Sequence, residues 1–251
     1  TLNPSSAASD VYKRQSKTIT TGASNEFFNL TVNNSASTAG SNDVEVEGTL
    51  TVSGALTVSP GDELTLEDAT VSGTLTVDAD GSNSATIDFS DASSADFDVS
   101  GTLILDGEDA SNRAIVTSDD GTRIDVDITG TLTADYFTFQ YPNITGLFVT
   151  GSNAQTISFG AFDYPFANGT LLNLTSATNI TNDVITGCSF GNTSSVSGAT
   201  NVTADGNTDV VTFTVFSGVL ASDASTAEGN DVDASNKLIW FDNKYYSNGN
   251  T

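Results

Sequence analysis

The sequence predicts an all-β chain wound as a right-handed parallel β-helix of roughly nine coils. Three observations predict it. The tripeptide Gly-Thr-Leu recurs at 48, 73, 101, 130 and 169, at spacings of 25, 28, 29 and 39 residues. Most recurrences open a short stretch in which apolar and polar residues alternate, as in a strand with one buried face. No stretch of a dozen residues carries helical periodicity. A unit of 25–29 residues with several short strands fits one coil of a solenoid. A sandwich needs no such unit, and a propeller blade runs to about 40 residues or more. Dividing 16–241 by a repeat of about 25 gives the coil number, and at ~4.8 Å per coil a rod of about 40 Å.

The elements follow in order. Asn29-Leu-Thr-Val-Asn-Asn is the first clear strand and turn. In Gly48–Val52, Leu50 and Val52 share one face, and Thr49 and Thr51 the other. Gly54-Ala-Leu-Thr-Val is a near variant. Gly73–Val77 repeats the pattern with Leu75 and Val77 inward. Asp78-Ala-Asp-Gly-Ser-Asn then reads as a turn. Leu103 and Leu105 oppose Thr102 and Ile104, and Asp106-Gly-Glu-Asp-Ala-Ser-Asn is the next turn. Along Arg123–Ile128, Ile124, Val126 and Ile128 oppose Arg123, Asp125 and Asp127. Further on, Phe137/Phe139, Phe159/Phe162, Cys188/Phe190 and Phe213/Phe216 recur near a coil length. Thr156-Ile-Ser-Phe-Gly-Ala-Phe and Val184-Ile-Thr-Gly-Cys-Ser-Phe-Gly-Asn read as one step of successive coils.

Composition removes whole classes of function. The 251 residues hold 7 Lys+Arg against 32 Asp+Glu, a net charge of −25, with no His and one Cys. Such a surface repels nucleic acid phosphates. Without His there is no Ser-His-Asp triad and no His-ligated zinc. A lone Cys forms no intramolecular disulfide, and no apolar run of about 18 residues spans a membrane as a helix.

The remaining candidate sites are few. Asp119, Asp120, Arg123, Asp125 and Asp127 form the best catalytic constellation, with Arg123, Asp125 and Asp127 on one strand face. Arginine stays protonated unless strongly perturbed, so a solvated charged face is the plainer reading, and catalysis is not expected. Asp78, Asp80, Asp106 and Asp109 have oxygen chemistry suited to Ca²⁺, the one cofactor considered, without matching a full calcium-loop spacing. Tyr136, Tyr141 and Tyr164 could stack on sugar rings. Cys188 reads as a buried small hydrophobe. Thr-x-Thr pairs at 49/51, 74/76 and 131/133 read as exposed strand residues separated by coils lacking such pairs, rather than as an ice-binding ladder.

Thr186-Gly-Cys-Ser-Phe-Gly-Asn is similar to steps of pectin-lyase-like right-handed parallel β-helices. Gly-Thr-Leu-Thr-Val, with Phe28-Asn-Leu-Thr-Val-Asn-Asn and Lys237-Leu-Ile-Trp-Phe-Asp, resembles β-helix regions of large bacterial secreted and surface proteins. The resemblance covers most of 16–241. It implies an extracellular or cell-surface setting and a structural or adhesive segment: stalk, spacer or adhesin. The alternative it implies is a module that binds or cleaves carbohydrate. Implied partners are extracellular polysaccharide or other surface proteins. Separately, residues 4–15 resemble translated sequencing-adapter read-through of a metagenomic reading frame. We therefore set 1–15 aside as a non-native or disordered tail, assign 16–241 to the β-helix, and read 242–251 as a polar linker or the start of a further domain.

Overall fold

The computed structural model describes residues 9–12, 17–20, 26–33, 43–90, 94–118, 120–176, 179–191, 196–205, 210–214, 216–218, 231–233 and 236–241. Every strand pairing in it is parallel. The chain is a parallel β-solenoid of about seven turns, against the nine expected.

Three faces make one turn. The first carries Asn29–Val32, Ala55–Val58, Thr74–Asp78, Thr102–Asp106, Thr131–Asp135 and Thr156–Ile157. A bridge from Ser158 to Thr186 continues it into Val184–Thr186, Val211–Thr214 and Leu238–Phe241. The other two faces belong to one large sheet that bends along Glu63–Val71. The first half of that strand pairs with Ala85–Phe89, and the second half with Ser94–Val99. The second face then runs through Ala114–Thr117, Phe137–Gln140, Ala161–Asp163 and Ser189–Phe190. The third runs through Arg123–Ile128, Pro142–Val149, Thr170–Asn173 and Thr200–Thr203. Ser9–Tyr12, inside the segment set aside from the sequence, pairs with Asn29–Val32.

Alternation and stacking together build the core. On the first face Leu30, Leu56, Leu75, Leu103 and Leu132 lie one above another, all buried. Later turns substitute aromatics: Phe139, Phe162 and Phe190 stack in register on the second face. The Phe162 and Phe190 rings lie 5.3 Å apart and nearly parallel. Two residues of the expected Phe series do other work. Phe213 sits on the first face, and Phe159 sits at a corner outside the core. The two quoted steps do superpose, with Ala161 paired to Ser189 and Phe162 to Phe190.

The Gly-Thr-Leu repeat marks a corner, though not always the same one. Gly73, Gly101 and Gly130 occupy the turn from third face to first, where Gly54 and Gly151 also stack. A Cβ on Gly101 would lie 1.8 Å from the Gly73 carbonyl oxygen, and one on Gly130 would lie 1.7 Å from that of Gly101. No side chain fits between turns this close. Gly48 and Gly169 instead precede strands of the third face, so the tripeptide serves two corners.

We expect Gly101→Ala to destabilise the chain by about 1–3 kcal/mol through overpacking. Ser72→Ala, on the exposed neighbouring position, should stay within about 0.5 kcal/mol. Urea unfolding of the two variants checks the difference.

Candidate functional site

The sequence-predicted residues divide between the two corners that flank the second face and the adjoining strand of the third. Tyr136, Tyr141, Phe159 and Tyr164 all hold positive φ, between 41° and 58°. Such left-handed backbone is unusual for bulky residues. Here it lets one residue turn a corner: Tyr136 joins Asp135 to Phe137, and Tyr141 joins Gln140 to Pro142. Each aromatic then stacks on its counterpart in the next turn. Tyr136 lies on Phe159 with centroids 4.4 Å apart, and Tyr141 lies on Tyr164 at the same distance. Tyr141 and Tyr164 are therefore brought together, and Tyr136 stands at the opposite edge of the second face.

Two arginines tie these corners. The Arg113 guanidinium donates to the carbonyls of Phe137 (2.8 Å) and Phe159 (2.7 Å). Arg123 donates to the carbonyls of Pro142 and Tyr164. Its guanidinium also lies over the Tyr141 ring, 5.7 Å from the centroid, and over Phe166 at 5.4 Å. Each fork thus spans two successive turns. Burial lowers the Arg123 pKa, with Tyr141 acting in the opposite direction. Nothing in the sequence signalled these bonds, because the carbonyl of Tyr164 is 41 residues away.

Asp125 and Asp127 do project from the same strand face as Arg123, with Ile124, Val126 and Ile128 buried beneath them. They turn to other partners. The Thr145 hydroxyl donates to Asp125 at 3.0 Å, and that of Thr150 to Asp127 at 3.3 Å. Register also sets Asp96 over Asp125 and Asp98 over Asp127. Desolvation raises the Asp98 pKa, and the charges of Asp127, Asp96 and Asp125 raise it further. Asp120 accepts from the Ser118 hydroxyl (2.7 Å) and the Thr122 amide (2.8 Å), and its pKa falls for those reasons. Asp119 lies outside the described residues.

The calcium candidates divide into two roles. Asp80 accepts from the amides of Ser82 and Asn83, both at 2.8 Å, and Asp109 accepts likewise from Ser111 (2.7 Å) and Asn112 (3.0 Å). These bonds lower both carboxyl pKa values. The shared string Asp-x-Ser-Asn was visible in the sequence and encodes this closed turn. Asp78 and Asp106 stand in a column that continues to Asp135. Desolvation, then Asp106 and Asp80, raise the Asp78 pKa. Among the described residues no three acidic or thiol side chains are arranged to hold a metal ion.

A shallow groove runs along the second face, floored by Thr138, Gln140, Ala161, Asp163 and Ser189. The two aromatic stacks stand at either edge of it. Tyr164 and Phe166 are each 40% exposed beside the Arg123 guanidinium. Cys188 is buried, and desolvation pushes its thiol up to about 12, which suits packing rather than nucleophilic attack. No helix among the described residues is long and apolar enough to cross a membrane. No protein-family model matches the chain, and no curated protein or solved structure matches it either.

Asp98 has its folded pKa raised, so its charge opposes folding once the carboxyl ionises. Its favourable share is complete below the ordinary carboxylate value and is lost as pH rises through the folded value. Asp98→Asn should therefore raise the melting temperature at pH 7. Asp109 has the opposite shift, so Asp109→Asn should lower it. Melting curves from pH 7 down to pH 3 should show both differences shrinking in acid.

Proposed function

We propose that this chain is a structural or adhesive β-helix segment of a secreted or cell-surface bacterial protein. The observation that carries the reading is the continuity of the stack. One hydrophobic core runs from Ile19 to Phe213, and every turn pairs in parallel with the next. A solenoid of this kind spaces its two ends apart and presents three long faces along its axis. Thirty-two acidic residues against seven basic ones suit a surface that resists lateral association in salt. The motifs quoted above resemble surface and secreted β-helix regions, which supports the same setting. An antibody against the chain should label intact producing cells or their medium. Signal found only after lysis would overturn the reading.

The groove supports a second reading, a carbohydrate-binding module. A polar floor between aromatic edges is the chemistry that holds sugar rings, through hydrogen bonds below and apolar contact at the sides. Tyr164→Ala should then weaken retention on the matching polysaccharide several-fold in affinity electrophoresis, with folding unchanged. No retardation of the unaltered chain by acidic or neutral polysaccharides would leave the groove without this role.

A further inference from the structure

The first face carries an array that the spacing of Thr pairs in the sequence concealed. Its strands pair without a register shift from Ala55–Val58 through Thr131–Asp135. One outward column reads Ala55, Thr74, Thr102, Thr131. Beside it runs Thr31, Thr57, Thr76, Ile104, Thr133, Thr156. The pairs at 74/76 and 131/133 are thus not isolated: the coil between them supplies Thr102 and Ile104 to the same columns. Only the pair at 49/51 lies elsewhere, on the third face.

Geometry makes this a two-dimensional grid. Neighbouring turns are ~4.8 Å apart, and residues two apart along a strand are separated by ~6.7 Å. Each threonine shows a hydroxyl and a methyl from a β-branched carbon whose rotamer is restricted, so the pattern is set before any partner arrives. The two columns contain no charged residue, although the chain carries −25 and the outward positions of the other faces hold Glu63, Asp68, Asp96, Asp98, Asp125 and Asp127. From Ala55–Val58 through Thr131–Asp135, charge enters the first face only at its border, in the column Asp78, Asp106 and Asp135.

From this grid we infer that the first face adsorbs to ice. A neutral, stiff array at two fixed periods can order water in a lattice-like layer, with methyls caging it and hydroxyls anchoring it. Ionised groups would orient water around themselves and break such a layer. Two other occupants fit less well. A crystalline polysaccharide calls for an aromatic platform, and no position in the two columns is aromatic. A second copy of the chain calls for about 800 Å² per partner, and a grid of about 24 Å by about 7 Å falls well short.

The test is partition into slowly grown ice, using the full chain. We expect the unaltered chain to be enriched several-fold in the ice fraction over an inert protein of similar size. Thr76→Tyr should abolish the enrichment by standing above the plane, and Thr76→Val should keep much of it. Asp96→Asn on the third face should change nothing. Exclusion of the unaltered chain from ice overturns the inference, as does equal capture of Thr76→Tyr. Retention on crystalline cellulose, or self-association, that Thr76→Tyr removes in the absence of ice capture also overturns it. The inference deepens the structural reading and rests on the stack. Loss of β-structure in circular dichroism would indict the stack, whereas failed ice capture by a folded chain indicts the ice face alone.

Discussion

Parallel hydrogen bonding between successive turns, held in register, is the constraint on which the rest depends. It sets each residue directly over its counterpart about 4.8 Å away. Whatever chemistry one turn places at a position, the next turn must tolerate at close range. Leucine over leucine suits a dry interior. Glycine over glycine follows where the backbones approach so closely that a Cβ would enter the carbonyl beneath. Aromatic over aromatic gives the stacked corners of Tyr136 with Phe159 and Tyr141 with Tyr164.

The same rule makes charge a problem, and the chain answers it locally. Asp over Asp is unfavourable: desolvation first, and then the neighbouring carboxylates, raise the pKa values of Asp98 and Asp78. Hydroxyls relieve part of the cost at Asp125, Asp127 and Asp135, each of which accepts from a Ser or Thr of the following turn. The two arginines take a different path. Arg113 and Arg123 donate to backbone carbonyls at or beside the corners.

Much of this was legible in the sequence because the pattern is local. Alternation named the inward Leu50, Leu75, Leu103, Ile124 and Val126 correctly. The glycine-led repeat placed three corners, at 73, 101 and 130. What escaped the sequence needed register. The threonine columns were hidden because Ala55 and Ile104 interrupt the Thr-x-Thr text, and because successive turns are offset by 19, 28 and 29 residues. Gly48 and Gly169 read like the other repeats because the tripeptide text carries no orientation: Thr49 is exposed, whereas Thr170 is buried beside Leu172. The aromatic corners had no signal, since left-handed backbone is ordinarily announced by glycine or asparagine.

The turn from first to second face varies in length from one turn of the solenoid to the next. It is a six-residue loop at 79–84, a seven-residue loop at 107–113, and the single residue Tyr136 one turn later. The strands on either side keep their pairing throughout. Length at that corner is therefore decoupled from register. A gene encoding such a solenoid can gain or lose residues there without shifting a single core position. The corner is a natural port for grafting: a peptide inserted between Asp80 and Asn83 would extend from the side of the stack and leave its columns aligned.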